Sequence, residues 1–353
     1  RVRQAPESWL VPVRDGDDAS TTGLALNFVS SLLADRVSVP GPLPVEAIDW
    51  QRVSTRSVVE VASAQRVSGL LLTAPAASLL PADLRAVLGA RQRSAALRSM
   101  RQLADLARIL PALTSSGVDT MVIKGLPLSA QLYGEWSIRG SSADIDLLID
   151  PNDLTRADSI LVAMGYVCHT DMGRATPLSG LRGRYNAWLH YERSYRHGTF
   201  SAIDLHWRPV PGSAPWTDFR IMWRDRLAVD IGGNQVAVPG AAAALRITCS
   251  QGESDGWPSL RAAVDALASA ALVARPWPDT LASDSLVRDG VKHARQVIAA
   301  PGVWLTGRTR SAPISLVRRQ WSLRRRTDTL PRAAARSLLG KWLPVRRISP
   351  TRR

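Results

Sequence analysis

Apolar residues recur at three- and four-residue spacing from Val45 to about Leu110, and Ser57–Leu72 and Ala82–Leu110 read as amphipathic helices. The preceding stretch, 1–45, is polar and then Pro-rich, with one apolar patch near Leu24–Leu33, and reads as a loose leader. The period then changes. Asp119-Thr120-Met121-Val122-Ile123 is a short apolar run closing on Lys124-Gly125, which predicts a strand ending at a glycine turn. Pro127 to Tyr133 reads as a helix, Ala143 to Ile149 as a strand, and Pro151 to Met164 as a helix stopped by Gly165. Further strands are expected at Ser201–Trp207 and Val229–Val238. Helices return at Ala241–Ser250, at Pro258–Ala274, and after Pro276-Trp277-Pro278 to about Ala300. The layout is an α/β (α+β) chain: leader 1–45, helical region 46–110, mixed core 111–238, helical region 239–306 and tail 307–353.

Charge changes the picture at one end only. The 353 residues sum to +15, and 307–353 hold 14 Lys/Arg against the single acid Asp328, so this tail accounts for +13. Such a tail suits a polyanion, either RNA or an anionic surface, or is a solvated Arg-rich end. A hydrophobic fraction of 45% with no long uninterrupted apolar run predicts no transmembrane segment. The start, Arg1-Val2-Arg3-Gln4, lacks the pattern of a secretory leader. Cys168 and Cys249 are the only cysteines; they make no disulfide framework and fit no zinc spacing, so a reducing cytoplasm is expected.

The chemistry centres on Asp144-Ile145-Asp146. On a strand both carboxylates point to one face, which suits a hard divalent cation such as magnesium bridging substrate phosphates. Lys124-Gly125, between a strand and a helix, could cradle phosphate, with Lys124 as a point charge. Arg139 could neutralise phosphate or pair with an aspartate. Asp204, in Ile203-Asp204-Leu205-His206-Trp207, adds a third acid on a separate strand. His206 reads as a satisfied structural group in preference to one that orients Asp204 or a phosphate, and Trp207 reads as core. Tyr185, Trp188, Tyr191 and Tyr195 with Arg182, Arg184, Arg193 and Arg196 form an aromatic-basic cluster, suited to stacking a base or to helix core.

In this order the segments Ile123-Lys124-Gly125, Gln131-Leu132-Tyr133, Arg139, Asp144-Ile145-Asp146-Leu147-Leu148-Ile149, Met164-Gly165-Tyr166 and Asp204-Leu205-His206-Trp207 resemble the bacterial uncharacterised nucleotidyltransferase family of the polymerase-β-like superfold. The resemblance spans roughly 90–210. It implies a mixed sheet flanked by helices, magnesium, in a two-metal site, at Asp144, Asp146 and Asp204, NTP as donor, and nucleotide contacts from Lys124, Gly125 and Arg139. The family's His-rich stretch before a Trp and an Asp-bearing helix reads here Cys249 to Trp257 and then Asp265, without the histidines. The expected activity is magnesium-dependent transfer of NMP to an acceptor hydroxyl on a small molecule, a peptide or protein, or an RNA end. The alternatives are a non-catalytic nucleotide- or RNA-binding module on the same scaffold and a membrane-surface adaptor using the tail.

Overall fold

Alternation over Asp144-Ile145-Asp146-Leu147 sends two acids to one face of a strand and two aliphatics to the other, and the sheet is built around that division. The computed structural model describes residues 19–140, 142, 144–169, 190–211 and 214–302. The basic tail, and Arg182, Arg184, Tyr185 and Trp188 of the aromatic-basic cluster, lie outside these residues. Five strands, β1 (Thr120–Val122), β2 (Asp144–Ile149), β3 (Val167–His169), β4 (Glu192–Arg196) and β5 (Ala202–His206), form one sheet in the order β1-β2-β5-β4-β3. Only the β2–β5 pair is parallel, so the sheet is mixed. Its register sets Asp146 opposite Asp204 and Leu147 opposite Leu205.

One face of the sheet is dry. Ile145, Leu147, Ile149, Ile203 and Leu205 pack there with Leu106, Ile109 and Leu113 of the long helix α4 (Ala82–Ser115) and Leu161 of α6 (Leu154–Ala163). The other face divides between a small apolar patch, where Leu148 and Met121 meet Phe219 and Met222 of α7 (Phe219–Arg224), and the acids. Between these elements α5 (Leu126–Tyr133) follows β1. The strand expected over Val229–Val238 is a hairpin, β6 (Leu227–Ile231) and β7 (Asn234–Val238). It turns at Gly232 and Gly233, both at positive φ (60° and 83°), the backbone a two-residue hairpin turn with matching twist requires.

The loose leader expected over 1–45 instead contains α1 (Ala19–Arg36), in which Ala25, Phe28, Val29, Leu32 and Leu33 are buried. Its Ser and Thr content disguises a helix whose apolar residues recur at four-residue spacing. The helix expected over Ser57–Leu72 is two, α2 (Thr55–Ala64) and α3 (Ser68–Leu72), broken where Arg66 takes φ 57°. The C-terminal region supplies α8 (Ala241–Asp255), α9 (Leu260–Leu272), α10 (Asp279–Ala282) and α11 (Ser285–Ala299). The two helical regions, distant in sequence, close on a single core that joins Leu32, Val58, Leu70 and Leu88 to Leu245, Leu260, Val287 and Ala294. Hydrogen bonds reinforce this closure: Ser30 Oγ donates to the Ile298 carbonyl (2.7 Å) and Leu260 N to Gln65 Oε1 (2.9 Å). Among the described residues no helix is long and apolar enough to cross a membrane.

Candidate active site

Because β2 and β5 are parallel with Asp146 opposite Asp204, both carboxylates leave the sheet on the same face, and Asp144 joins them two residues along. Strand β4 adds a fourth acid, since Glu192 pairs in register with His206 of β5. Lys124 enters from the end of β1, held in place by the Ile123 amide donating to the Asp146 carbonyl (3.1 Å).

Asp146 is the hub. Its Oδ1 receives Lys124 Nζ at 3.2 Å and lies 3.0 Å from His206 Nε2, while His206 Nδ1 stands 3.4 Å from Glu192 Oε2 without hydrogen-bond geometry. His206, read from sequence as structural, is thus fully buried and positions Asp146. Burial pushes the Asp146 carboxyl up, but the Lys124 charge and the His206 hydrogen bond outweigh it and hold the group well below the usual carboxylate range. Asp144 goes the other way: burial, then the Asp146 charge, raise it, against a Ser142 Oγ hydrogen bond of 2.5 Å. Glu192 is also raised, by burial foremost and by Asp204, against His206. Asp204 Oδ1 is buried with no hydrogen-bond partner. A face on which two of four acids sit above their ordinary range and a third has an orphaned oxygen is chemically suited to a hard cation. Among the described residues no three His, Cys, Asp or Glu side chains already stand as a metal-holding group.

The turn after Lys124 is built on Gly125, whose φ of 71° and ψ of −134° are open to glycine and to few other residues. A Cβ there would meet nothing within 4 Å, so any penalty is in the backbone alone. Gly125→Ala is expected to lower stability by about 1–3 kcal/mol, read from the urea midpoint; a neutral result would mean the turn relaxes freely.

Arg139 is engaged by α9. Its Nε donates to Asp265 Oδ2 on α9 at 2.7 Å, and Tyr133 Oη donates to Asp265 Oδ1 at 2.6 Å. Burial opposes the Arg139 charge, but Asp265 outweighs it and holds the guanidinium above its ordinary value. Of the sequence-derived residues, Asp144, Asp146, Asp204 and Lys124 share one face with Gly125 at its edge, while Arg139 is tied to the helical region. Glu192 was missed. Its strand, Glu192-Arg193-Ser194-Tyr195-Arg196, alternates in burial but not in polarity, so the sequence carried no period that would have shown it.

A search of curated protein sequences finds no match to the chain. Solved structures align with it, among them these two. The solution structure of the antibiotic-resistance factor ANT(2'')-Ia is 13% identical, covering 63% of this chain and 98% of that one at a TM-score of 0.33. The crystal structure of an antigenic nucleotidyltransferase-like protein from Paracoccidioides brasiliensis is 16% identical, covering 55% and 87% at 0.35. A family profile described as "Uncharacterised nucleotidyltransferase" matches residues 47–285, from the first turns of the N-terminal helical region to the start of α11. With more than half the chain matched, this protein belongs to that nucleotidyltransferase family.

Proposed function

We propose that this protein transfers a nucleoside monophosphate from an NTP to an acceptor hydroxyl, with Asp144, Asp146 and Asp204 as the residues that hold catalytic magnesium. The supporting observation is the parallel β2–β5 register, which sets Asp204 opposite Asp146 on the face that carries Asp144, together with the orphaned, buried Asp204 Oδ1. Magnesium bound there supplies neutralisation of the phosphate charge and alignment of the attacking and leaving oxygens. The Lys124 ammonium and the Gly125 turn at the start of α5 are assigned to the triphosphate, with Arg139 behind them. Asp204 accepts the proton of the acceptor hydroxyl. The freed oxygen bonds to the α-phosphorus, the bond from that phosphorus to its bridging oxygen breaks, and pyrophosphate departs. Catalysis on this plan is positioning and charge compensation by groups fixed on strands.

The +13 of 307–353 supports a polyanionic partner, with RNA foremost. The test is incubation of the full chain with each α-labelled NTP, magnesium, total RNA and protein lysate, beside Asp144→Ala/Asp146→Ala. Label is expected in a macromolecule or a small-molecule product with the parent and not with the variant. No labelled product of either kind, with every NTP, would overturn the transferase reading.

A further inference from the structure

Strand β4 divides its charged residues between the two faces of the sheet. Arg193 and Tyr195 turn to the dry face, where Arg193 Nη1 lies 3.2 Å from Asp158 Oδ1 on α6 and Tyr195 Oη donates to the same oxygen at 2.5 Å. Glu192, Ser194 and Arg196 therefore share the face of the acids. Ser194 stands opposite Asp204 in register, so Arg196, two residues on, is the diagonal neighbour of Asp204, about 7–8 Å away by the spacing of antiparallel strands. Ala202, opposite Asp144, fills the position between Asp144 and Arg196, and it is small. On the edge strand β3, Val167 pairs with Arg196 and is 69% exposed. Arg196 is exposed as well, and among the described residues its guanidinium makes no ion pair. Beyond Asp204 the acid face thus runs on as an open shelf with a cation at its end.

The strand order gives this shelf a direction. Lys124 and Gly125, assigned to the triphosphate, enter from β1, and Asp204 lies on β5, between β2 and β4. In phosphoryl transfer the attacking and leaving oxygens stand on opposite sides of the phosphorus. With pyrophosphate departing toward β1, the attacking hydroxyl comes from the side of β4.

We propose that Ser194, Arg196 and Val167 form the acceptor subsite and that its occupant is the 3′ end of an RNA strand, with the terminal ribose hydroxyl at Asp204 and the phosphate of that nucleotide on Arg196. The assignment rests on the nucleotidyltransferase reading. An RNA end carries a phosphate one sugar away from a free hydroxyl, which matches a carboxylate and a guanidinium on diagonal positions of neighbouring strands. The planar fork of arginine takes two phosphate oxygens at once. The +13 of 307–353 complements phosphates further along the same strand. A peptide or protein hydroxyl brings no phosphate at a fixed distance and leaves Arg196 unused.

The test uses the full chain with magnesium, its donor site saturated by each non-transferable α,β-methylene NTP in turn. Adenosine and the dinucleoside monophosphate ApA are titrated calorimetrically into the parent, Arg196→Gln and Arg196→Lys; ApA has one phosphate beside its terminal ribose and adenosine has none. The parent is expected to bind ApA roughly tenfold more tightly than adenosine, and Arg196→Gln to bring the two within about twofold, with Arg196→Lys between them. NTP affinity and unfolding temperature are expected to stay at the parent's values, because the side chain is exposed. A preference for ApA that survives Arg196→Gln puts the phosphate on other cations and removes the subsite, as does a parent without the preference. A parallel loss of NTP affinity would move Arg196 to the donor side and overturn the acceptor assignment. Label that enters protein or a small molecule and not RNA, in the transfer assay above, would overturn the RNA end as occupant. Binding is read without turnover, so the two readings part. A chain that labels nothing yet loses its ApA preference on Arg196→Gln keeps the phosphate contact and loses the transferase reading; one that labels RNA while Arg196→Gln keeps the preference does the reverse.

Discussion

Asp265→Ala is expected to lower stability by about 3–5 kcal/mol, the cost of breaking a buried ion pair from one side. Asp265 and Arg139 side chains are 3% and 10% exposed, so water cannot replace the missing carboxylate. Removing it strands the Arg139 guanidinium, leaves Tyr133 Oη without its acceptor, and takes away the carboxylate that favours the Arg261 charge. The reverse truncation is not equivalent. Arg139→Gln leaves Asp265 with the Tyr133 hydrogen bond and Arg261 nearby, so it is expected to cost less than half as much. Urea denaturation of both variants checks the size and the asymmetry. A loss below about 1 kcal/mol for Asp265→Ala would mean the pair is replaced by rearrangement. The location gives the pair its functional weight: Arg139 lies five residues before Asp144, on the connection that delivers β2 to the site.

This latch shows where sequence reading ends. Arg139 and Asp265 were both visible, each as a charged residue in a suggestive context, but they meet across 126 positions and nothing local pairs them. The same holds for Asp146 and Asp204. Alternation in Asp144-Ile145-Asp146-Leu147 fixes which side chains share a face, because a strand's period is two. It does not say that β5 lies beside β2, parallel, with the two aspartates in register; that comes from the order β1-β2-β5-β4-β3. Glu192 follows from the same order and stayed hidden for the same reason, while His206 stood in plain view beside Asp204 and only its contact with Asp146 was illegible. Elements that bury one face showed their period well: α4, β2 and α9 lie close to where their spacing puts them. Helix α1 did not, since its Ser, Thr, Gly and Asn residues read as a polar leader while Ser30 and Ser31 are in fact buried beside Leu32 and Leu33. Buried hydroxyls of this kind satisfy the backbone of distant segments, as Ser30 does for Ile298, and composition carries no trace of such a partner.

Asp204→Asn is expected to reduce nucleotide transfer by about a thousandfold or more while leaving NTP affinity measurable and stability unchanged or raised. The three parts have separate causes. Transfer falls because an amide neither takes the hydroxyl proton nor offers a charged oxygen to magnesium, and loss of a general base with its metal contact is worth about two to four orders of magnitude. Affinity persists because the donor's phosphates are assigned to Asp144, Asp146, Lys124 and the turn at Gly125, none of which is altered. Stability does not fall because the native carboxylate has little to lose: Oδ1 is buried without a hydrogen bond, and its charge raises both Asp144 and Glu192. An isosteric neutral side chain removes that repulsion and creates no cavity. An acid kept at the expense of stability is the mark of a residue retained for chemistry. A structural Asp204 would give the opposite pattern, with a lowered unfolding temperature and transfer within tenfold of the parent, and that result would remove Asp204 from the mechanism. Measuring transfer rate, NTP affinity and unfolding temperature on the one variant separates the two cases, because no structural defect lowers the first by a thousandfold while leaving the other two in place.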